Sequence, residues 1–419
     1  MRLTVRRGRL YPLLVFLAVL AVTAVTLVGV ARGASTSTTI VPVTQDRAAG
    51  FTVSAKDLGD FTATPPRIAS PSAIVINMGT GKVLYEWNAY VRRPMASTTK
   101  IMTAVLVLEN MDLREPVPVS GKAAATSEPK TWLKEGDVLT VEQMLYALLL
   151  RSANSAAVAL AEACSGSVEA FVAEMNEKAA ELGMDDTHFV NPNGLDGNGH
   201  YSTAADMAVV ARYAMNNEIF RRIVSTETYT VSLPGRENPT VFQNANKLLG
   251  DVDWVTGIKT GLTPRAEQCL VGSGTLDGVS IISVLLGQPV SAVCWAESET
   301  LMKYGFSQYR HVTLIDEGAV VAEAEVPYRL DGRVQLVTEG ALEMELYKED
   351  SVTTSVVLDR DLVLPVAEGE SFGRATLTVQ GEVVDAVDLV SAQSYEETTL
   401  GSKIAYFWSR LGRWLGRLV

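Results

Sequence analysis

A hydroxyl and an amine lie three residues apart in the stretch MASTTKIMTA, at Ser97 and Lys100. Residues at i and i+3 share a helix face, so a helical start there sets the Lys100 amine beside the Ser97 hydroxyl. A serine hydroxyl is a poor nucleophile until a neighbour takes its proton. A neutral lysine does so where burial or another cation lowers its pKa. Two distant pieces carry groups of the kind such a pair would need. Ser152-Ala153-Asn154 supplies a hydroxyl to relay a proton to a leaving amine, and an amide to hold a substrate carbonyl or the lysine. Lys259-Thr260-Gly261 supplies a cation and a hydroxyl that grip a carboxylate, with a glycine past which a substrate backbone can approach a strand closely. Each piece alone reads as an ordinary helix start, a cap and turn, or a solvated strand end.

The elements around these pieces must position them. Pro94 precedes a helix over STTKIMTAVLVLENM, with Ile101, Met102, Val105 and Leu108 as its buried stripe. TVEQMLYALLLRSANSAAVALAEAC predicts two helices with a break at Arg151–Ser155, a place from which side chains can be aimed into a cleft. SVEAFVAEMNEKAAELGM predicts an amphipathic helix ending at Gly183, and AADMAVVARYAM another. Between them, NPNGLDGNGHYST is a polar Gly/Asn loop. SAIVINMGTGKVLYEWN predicts a hairpin around Gly79-Thr80-Gly81. WVTGIKTG and QCLVGSGTLDGVSIISVLLG predict successive strands, the last two joined at Asp277-Gly278. SAVCWAESETLMKYGFSQY closes the set with a long helix. Strands first, helices in the middle and strands late predict an α+β fold on an antiparallel sheet. Beyond about Arg310, short alternating runs with Gly and Asp turns predict a small all-β domain, expected as a sandwich over 311–395.

The 419 residues suggest two or three domains, and a net charge of −12 with a pI near 4.9 argues against nucleic-acid binding. Cys164, Cys269 and Cys294 form no metal-ligand spacing, and with only three histidines neither a metal site nor any other cofactor is expected. Arg2, Arg6, Arg7 and Arg9 precede an apolar run from Leu10 to Val30, which predicts a signal peptide or membrane anchor over 1–33 and an exported body. Residues 34–66 read as a linker. At the other end, 396–419 places Ile404, Phe407, Trp408, Leu411, Leu415 and Leu418 on one helix face and Lys403, Arg410, Arg413 and Arg417 largely on the other. That pattern suits a helix lying in a membrane interface.

Ser-x-x-Lys, Ser-x-Asn and Lys-Thr-Gly, in that order, are the signature shared by penicillin-binding proteins and serine β-lactamases. Over 67–310 the chain resembles the low-molecular-mass penicillin-binding proteins, the serine D-alanyl-D-alanine carboxypeptidases (peptidase family S11). LKEGDVLTVEQMLYALLLRSANSAAVALAE, FVNPNGLDGNGHYSTAADMAVVAR and IKTGLTPRAEQCLVGSG add to the resemblance. It implies a β-lactamase-like fold acting on peptidoglycan stem peptides at the outer face of a bacterial cytoplasmic membrane, and acylation by β-lactam antibiotics. It also implies roles. Ser97 attacks the carbonyl between two D-alanines and Lys100 takes its proton. Ser152 passes a proton to the departing D-alanine, and Asn154 positions substrate or Lys100. Lys259 and Thr260 bind the terminal carboxylate, beside Gly261, and the N–H groups of Ser97 and Leu262 form the oxyanion hole. Two positions depart from the family pattern: Leu262 stands where histidine is frequent, and Ala266-Glu267 where Ala-Gly is usual. Glu267 either weakens binding of an anionic substrate or faces solvent or Arg265. His200, Asn244 and Asn246 read as structural, and Trp132 either lines the cleft mouth or packs. The competing readings are a class A β-lactamase and a catalytically weak peptidoglycan-binding protein. Against the first, no Glu-x-x-x-Asn element stands between Asn154 and Lys259.

Overall fold

The computed structural model describes residues 40–41, 52–55, 63–127, 133–233, 236–325, 333–360 and 362–415. The expected signal or anchor over 1–33 and Trp132 lie outside them. The chain divides into two units: 55–311 with 345–349, and 1–54 with 312–344 and 350–419.

Two short strands open the described chain, β1 (Ile40–Val41) and β2 (Thr52–Ser54). The expected hairpin follows as β3 (Ser72–Asn77) and β4 (Val83–Trp87). Two small pairs flank the helical region, β5 (Pro116–Pro118) with β6 (Val138–Thr140) and β7 (Thr228–Val231) with β8 (Thr240–Gln243). Three long strands, β9 (Val255–Thr263), β10 (Glu267–Leu276) and β11 (Val279–Gln288), complete an antiparallel sheet of order β4-β3-β11-β10-β9. Asp277 and Gly278 both take positive φ between β10 and β11, the conformation a two-residue hairpin demands.

Every residue of β3 is buried because the sheet is covered on both faces. Ile74 and Ile76 join the core with the middle helices, while Ala73 and Val75 pack with Leu301 and Met302 of the last helix, Ser291–Phe306. Helix Lys100–Asn110 runs through the helical layer, so it buries all of residues 100–107 rather than a stripe. Helix Val141–Leu149 starts with a capping box, Thr140 taking the Gln143 N–H and Gln143 reaching back to Thr140. Helix Asn154–Ser165 follows and stops at Gly166, whose φ is +75°. A short helix, Glu218–Val224, was not anticipated from the sequence.

The second unit holds a seven-stranded sheet. Strand β12 (Tyr309–Ile315) leads into it, followed by β13 (Val320–Glu325), β14 (Arg333–Thr338), β15 (Leu342–Tyr347), β16 (Ser351–Leu358), β17 (Ser371–Val379) and β18 (Glu382–Ser391). The sheet order is β1-β13-β14-β18-β17-β16-β2. The segment expected as a linker therefore contributes both edge strands. β1 pairs with Ala324 and Glu323, and β2 with residues 351–353. Strands β13 and β16 would otherwise leave backbone N–H and C=O groups unpaired on one side, and Ile40–Val41 and Thr52–Ser54 pair with them. Helix Leu400–Leu415 follows, with Leu400, Ile404, Phe407 and Trp408 exposed. Among the described residues no single helix is long and apolar enough to cross a membrane.

Candidate active site

Ser97 sits in a 3-10 turn, Ala96–Thr99, that runs into the helix at Lys100. The turn is pinned from within: Thr98 Oγ1 donates to Met95 O at 2.6 Å and Thr99 Oγ1 to Ala96 O at 2.8 Å. Ala96 holds a φ of +48°, a left-handed conformation directly before Ser97.

Lys100 is fully buried. Its Nζ donates to Ser97 Oγ at 2.9 Å, to Asn154 Oδ1 at 2.7 Å and to the carbonyl of Asn193 at 2.5 Å. The carbonyl oxygens of Asn154 and Asn193 can only accept, so they claim two N–H bonds in either protonation state. The third direction meets a hydroxyl, which both donates and accepts. A neutral amine therefore fits the same place with its lone pair toward Ser97. Asn154 is held in turn by its Nδ2, which donates to Ser127 O at 2.7 Å.

Ser152 is the member that stands apart. It is half-buried with a φ of +62°, and its hydroxyl has no hydrogen-bond partner among the described residues.

On β9, Lys259 is 1% exposed, and burial pushes its ammonium down to about 7. Its Nζ donates to Thr260 O at 2.9 Å, and no carboxylate among the described residues pairs with it. Gly261 has a further reason for being glycine, beside the expected close approach of substrate. A Cβ there would lie 2.9 Å from Ser97 N, 3.0 Å from Ala96 Cβ and 3.1 Å from Met95 O. The strand abuts the Ser97 backbone, and the next N–H along it is that of Leu262. The Leu262 side chain is 66% exposed. Gln268, buried on β10, steadies the strand by donating to Gly261 O at 3.2 Å while accepting from Ser291 Oγ at 2.9 Å.

The loop 191–199 was read only as polar, yet it supplies the Asn193 carbonyl. Its asparagines stitch it together: Asn191 Oδ1 accepts from Gly194 N at 2.6 Å, Asn191 Nδ2 donates to Leu195 O, and Asn193 Oδ1 accepts from Leu195 N. Gly194, at φ +83°, lies so close to the nucleophile turn that a Cβ would fall 2.0 Å from Ala96 O. The run of Asn and Gly was the available signal, but a backbone carbonyl leaves no mark in residue type.

His200 is buried. Its Nδ1 accepts from Val190 N at 3.1 Å, which leaves the proton on Nε2 facing Thr99 Oγ1 at 2.9 Å. Burial first, then the nearby His188, lowers its pKa to about 4. Asn244 bonds the carbonyls of Val224 and Thr226, and Asn246 that of Gly257. Glu267 is exposed, forms no ion pair with Arg265, and holds a φ of +56°. That conformation is the physical reason glycine suits this position. All three cysteines are free thiols.

Residues 60–290 match the D-alanyl-D-alanine carboxypeptidase family, and 309–397 the penicillin-binding protein 5 C-terminal domain. The chain is 33% identical to the D-alanyl-D-alanine carboxypeptidase DacF of Bacillus subtilis, over 82% of this chain and 89% of that protein. It is 31% identical to the D-alanyl-D-alanine carboxypeptidase DacA of Escherichia coli K12, over 86% and 93% respectively. Among solved structures it is similar to the D-alanyl-D-alanine carboxypeptidase DacD of Francisella tularensis (TM-score 0.57, 26% identity, covering 82% of this chain and 98% of that one). It is also similar to the Streptomyces K15 DD-transpeptidase (TM-score 0.56, 34% identity, 58% and 100%). A buried lysine on a turn serine, a strand with a buried lysine against that serine, and these matches lead to one family: the chain belongs to the D-alanyl-D-alanine carboxypeptidases, the low-molecular-mass penicillin-binding proteins of peptidase family S11.

Proposed function

We propose that this chain removes the terminal D-alanine from peptidoglycan stem peptides through an acyl-enzyme on Ser97. Lys259 and Thr260 take the substrate's terminal carboxylate, and that charge restores the ammonium that burial disfavours. Ser97 Oγ attacks the carbonyl of the penultimate D-alanine while Lys100, as neutral amine, takes the hydroxyl proton. The N–H groups of Ser97 and Leu262 receive the developing oxyanion. Ser152 relays the proton to the departing D-alanine as the tetrahedral centre collapses, and water then hydrolyses the ester. A β-lactam enters the same path and stays on Ser97. Substrate binding draws Ser152 into the relay, since its hydroxyl is uncommitted at rest. No cofactor takes part.

The observation that carries this reading is the Lys100 geometry, with its Nζ on two obligate acceptors and on Ser97 Oγ. Intact mass after benzylpenicillin, with a Ser97→Ala control, tests the nucleophile. Release of D-alanine from a pentapeptide ending in D-alanyl-D-alanine tests the reaction. Absence of an adduct would return the chain to a peptidoglycan-binding role, and rapid penicillin turnover would point to a β-lactamase. The likeness to a DD-transpeptidase supports a second reading, in which an amine replaces water at the acyl-enzyme. Product analysis with an added acceptor amine separates the two.

The helix Leu400–Leu415 supports attachment to the outer face of the cytoplasmic membrane, with Ile404, Phe407 and Trp408 entering the interface and Lys403 and Arg410 on lipid headgroups. Flotation with anionic vesicles, lost on deletion of 396–419, tests it.

A further inference from the structure

The proposed oxyanion hole joins two separate pieces of chain, the 3-10 turn of Ser97 and the far end of β9. Ladder hydrogen bonds hold the interior of β9 well. Thr260 faces Leu270 and Lys259 faces Val271 in its register with β10. Leu262 and Thr263 are the last residues before the hairpin tip, where the ladder runs out at Thr263 and Glu267. Strand ends open more readily than strand interiors, and β9 is the outermost strand of its sheet. Its tip needs an anchor if the Leu262 N–H is to hold one position.

Asp196 is placed to be that anchor. Its Oδ1 accepts from Thr263 Oγ1 at 2.7 Å and its Oδ2 from the Arg265 N–H at 3.2 Å. Thr263 Oγ1 in turn accepts from Ala266 N at 3.0 Å, so the carboxylate closes the hairpin tip from outside. The same loop carries the Asn193 carbonyl that meets Lys100, and Thr103 Oγ1 fixes it to the nucleophile helix by donating to Pro192 O at 2.6 Å. Asn191 and Asn193 stitch the loop internally, which couples the Asn193 carbonyl to Asp196 through a short hydrogen-bonded turn.

We propose that Asp196 is a positioning residue that ties the tip of β9 to the Ser97 and Lys100 side of the cleft and so sets the spacing of the two oxyanion-binding N–H groups. This rests on the acyl-enzyme reading above. Asp196 touches neither substrate nor nucleophile. Its effect reaches the transition state through Thr263 and Leu262, while the carboxylate-binding Lys259 and Thr260 lie farther in, held by β10. The loss on removing it therefore falls on kcat and on the acylation rate rather than on KM, since a misplacement of about 1 Å can cost a hundredfold in rate.

The test uses the full chain as Asp196→Ala, Asp196→Asn, Thr263→Val, Thr263→Ser and the Asp196→Ala/Thr263→Val pair. Benzylpenicillin acylation rate, kcat and KM for a D-alanyl-D-alanine peptide, and Tm are measured for each. Asp196→Ala and Thr263→Val should each slow acylation by about tenfold or more, with KM within about threefold of wild type. Thr263→Ser should restore the rate, Asp196→Asn should fall between, and the double variant should be no slower than the worse single one, because one interaction is removed twice. Unchanged acylation, a loss confined to KM, additive losses in the pair, or losses that merely follow Tm would each overturn the proposal. If the wild-type chain itself fails to acylate, the acyl-enzyme reading falls, and Asp196 has no reaction to serve.

Discussion

Two glycines face the nucleophile turn, and the structure ranks them. At Gly194 an added Cβ would sit 2.0 Å from Ala96 O, 2.4 Å from Ala96 C and 2.9 Å from Ser97 N, at a φ of +83°. At Gly261 the contacts are 2.9, 3.0 and 3.1 Å, and φ lies outside the left-handed range. Gly194→Ala therefore meets a backbone penalty of about 1–2 kcal/mol for a left-handed L-residue. To this is added an overlap of about 1–3 kcal/mol that no flexible side chain can relieve. The expected cost is roughly 2–5 kcal/mol in stability, by summing those two effects. The loop can escape only by withdrawing from Ala96, which carries the Asn193 carbonyl away from Lys100, so acylation should fall by about a hundredfold. Gly261→Ala brings a Cβ to 2.9 Å from the Ser97 backbone nitrogen, so strand or turn must shift, but no left-handed penalty is added; the expected loss is about 1–3 kcal/mol. Thermal melts and benzylpenicillin acylation followed by intact mass read both effects. The reasoning fails if Gly194→Ala acylates like wild type, or if Gly261→Ala is the more damaged of the two.

Three further outcomes follow from the same geometry. Lys259 loses its charge as pH rises through about 7 in the free enzyme, so KM for an anionic peptide should climb above that pH. Lys259→Arg keeps its charge and should flatten the climb, and an identical alkaline limb in that variant would contradict the assignment. His200 binds its proton at about 4 when folded but near 6.5 when unfolded, so the unfolded chain takes up protons first and stability falls as pH drops between those values. The total is about 3 kcal/mol, and His200→Gln should remove that acid limb in melts at pH 4.5 and 7. Glu267→Gly relieves a left-handed residue and should stabilise by up to about 1 kcal/mol, less the entropy that glycine adds to the unfolded chain. Turnover should not change, since Glu267 faces solvent; a lowered Tm would refute the backbone argument.

The family was legible in the sequence because it resides in residue types at fixed offsets. Ser97 and Lys100 share a helix face by periodicity alone, and the Lys-Thr-Gly strand announces itself through the apolar alternation around it. The α+β order and the β-rich C-terminal part were readable for the same reason, since hydrophobic period reports local geometry. What the sequence left open is what long-range packing decides. Nothing local says that a carbonyl at Asn193, far along the chain, will be the third partner of Lys100, because every residue carries a carbonyl. That glycine at 261 also makes room for the Ser97 backbone could not be told until the strand was seen against it. Residues 40–41 and 52–54 looked like linker because a two- or three-residue strand has no period to detect; their pairing exists only once the seven-stranded sheet presents its edges. Residue chemistry, then, determined what reaction this chain is equipped for, and tertiary packing decided which atoms of Asn193, Gly261 and Asp196 make the equipment meet. Side-chain types are inherited locally, whereas backbone dipoles and close approaches are created only where distant segments pack.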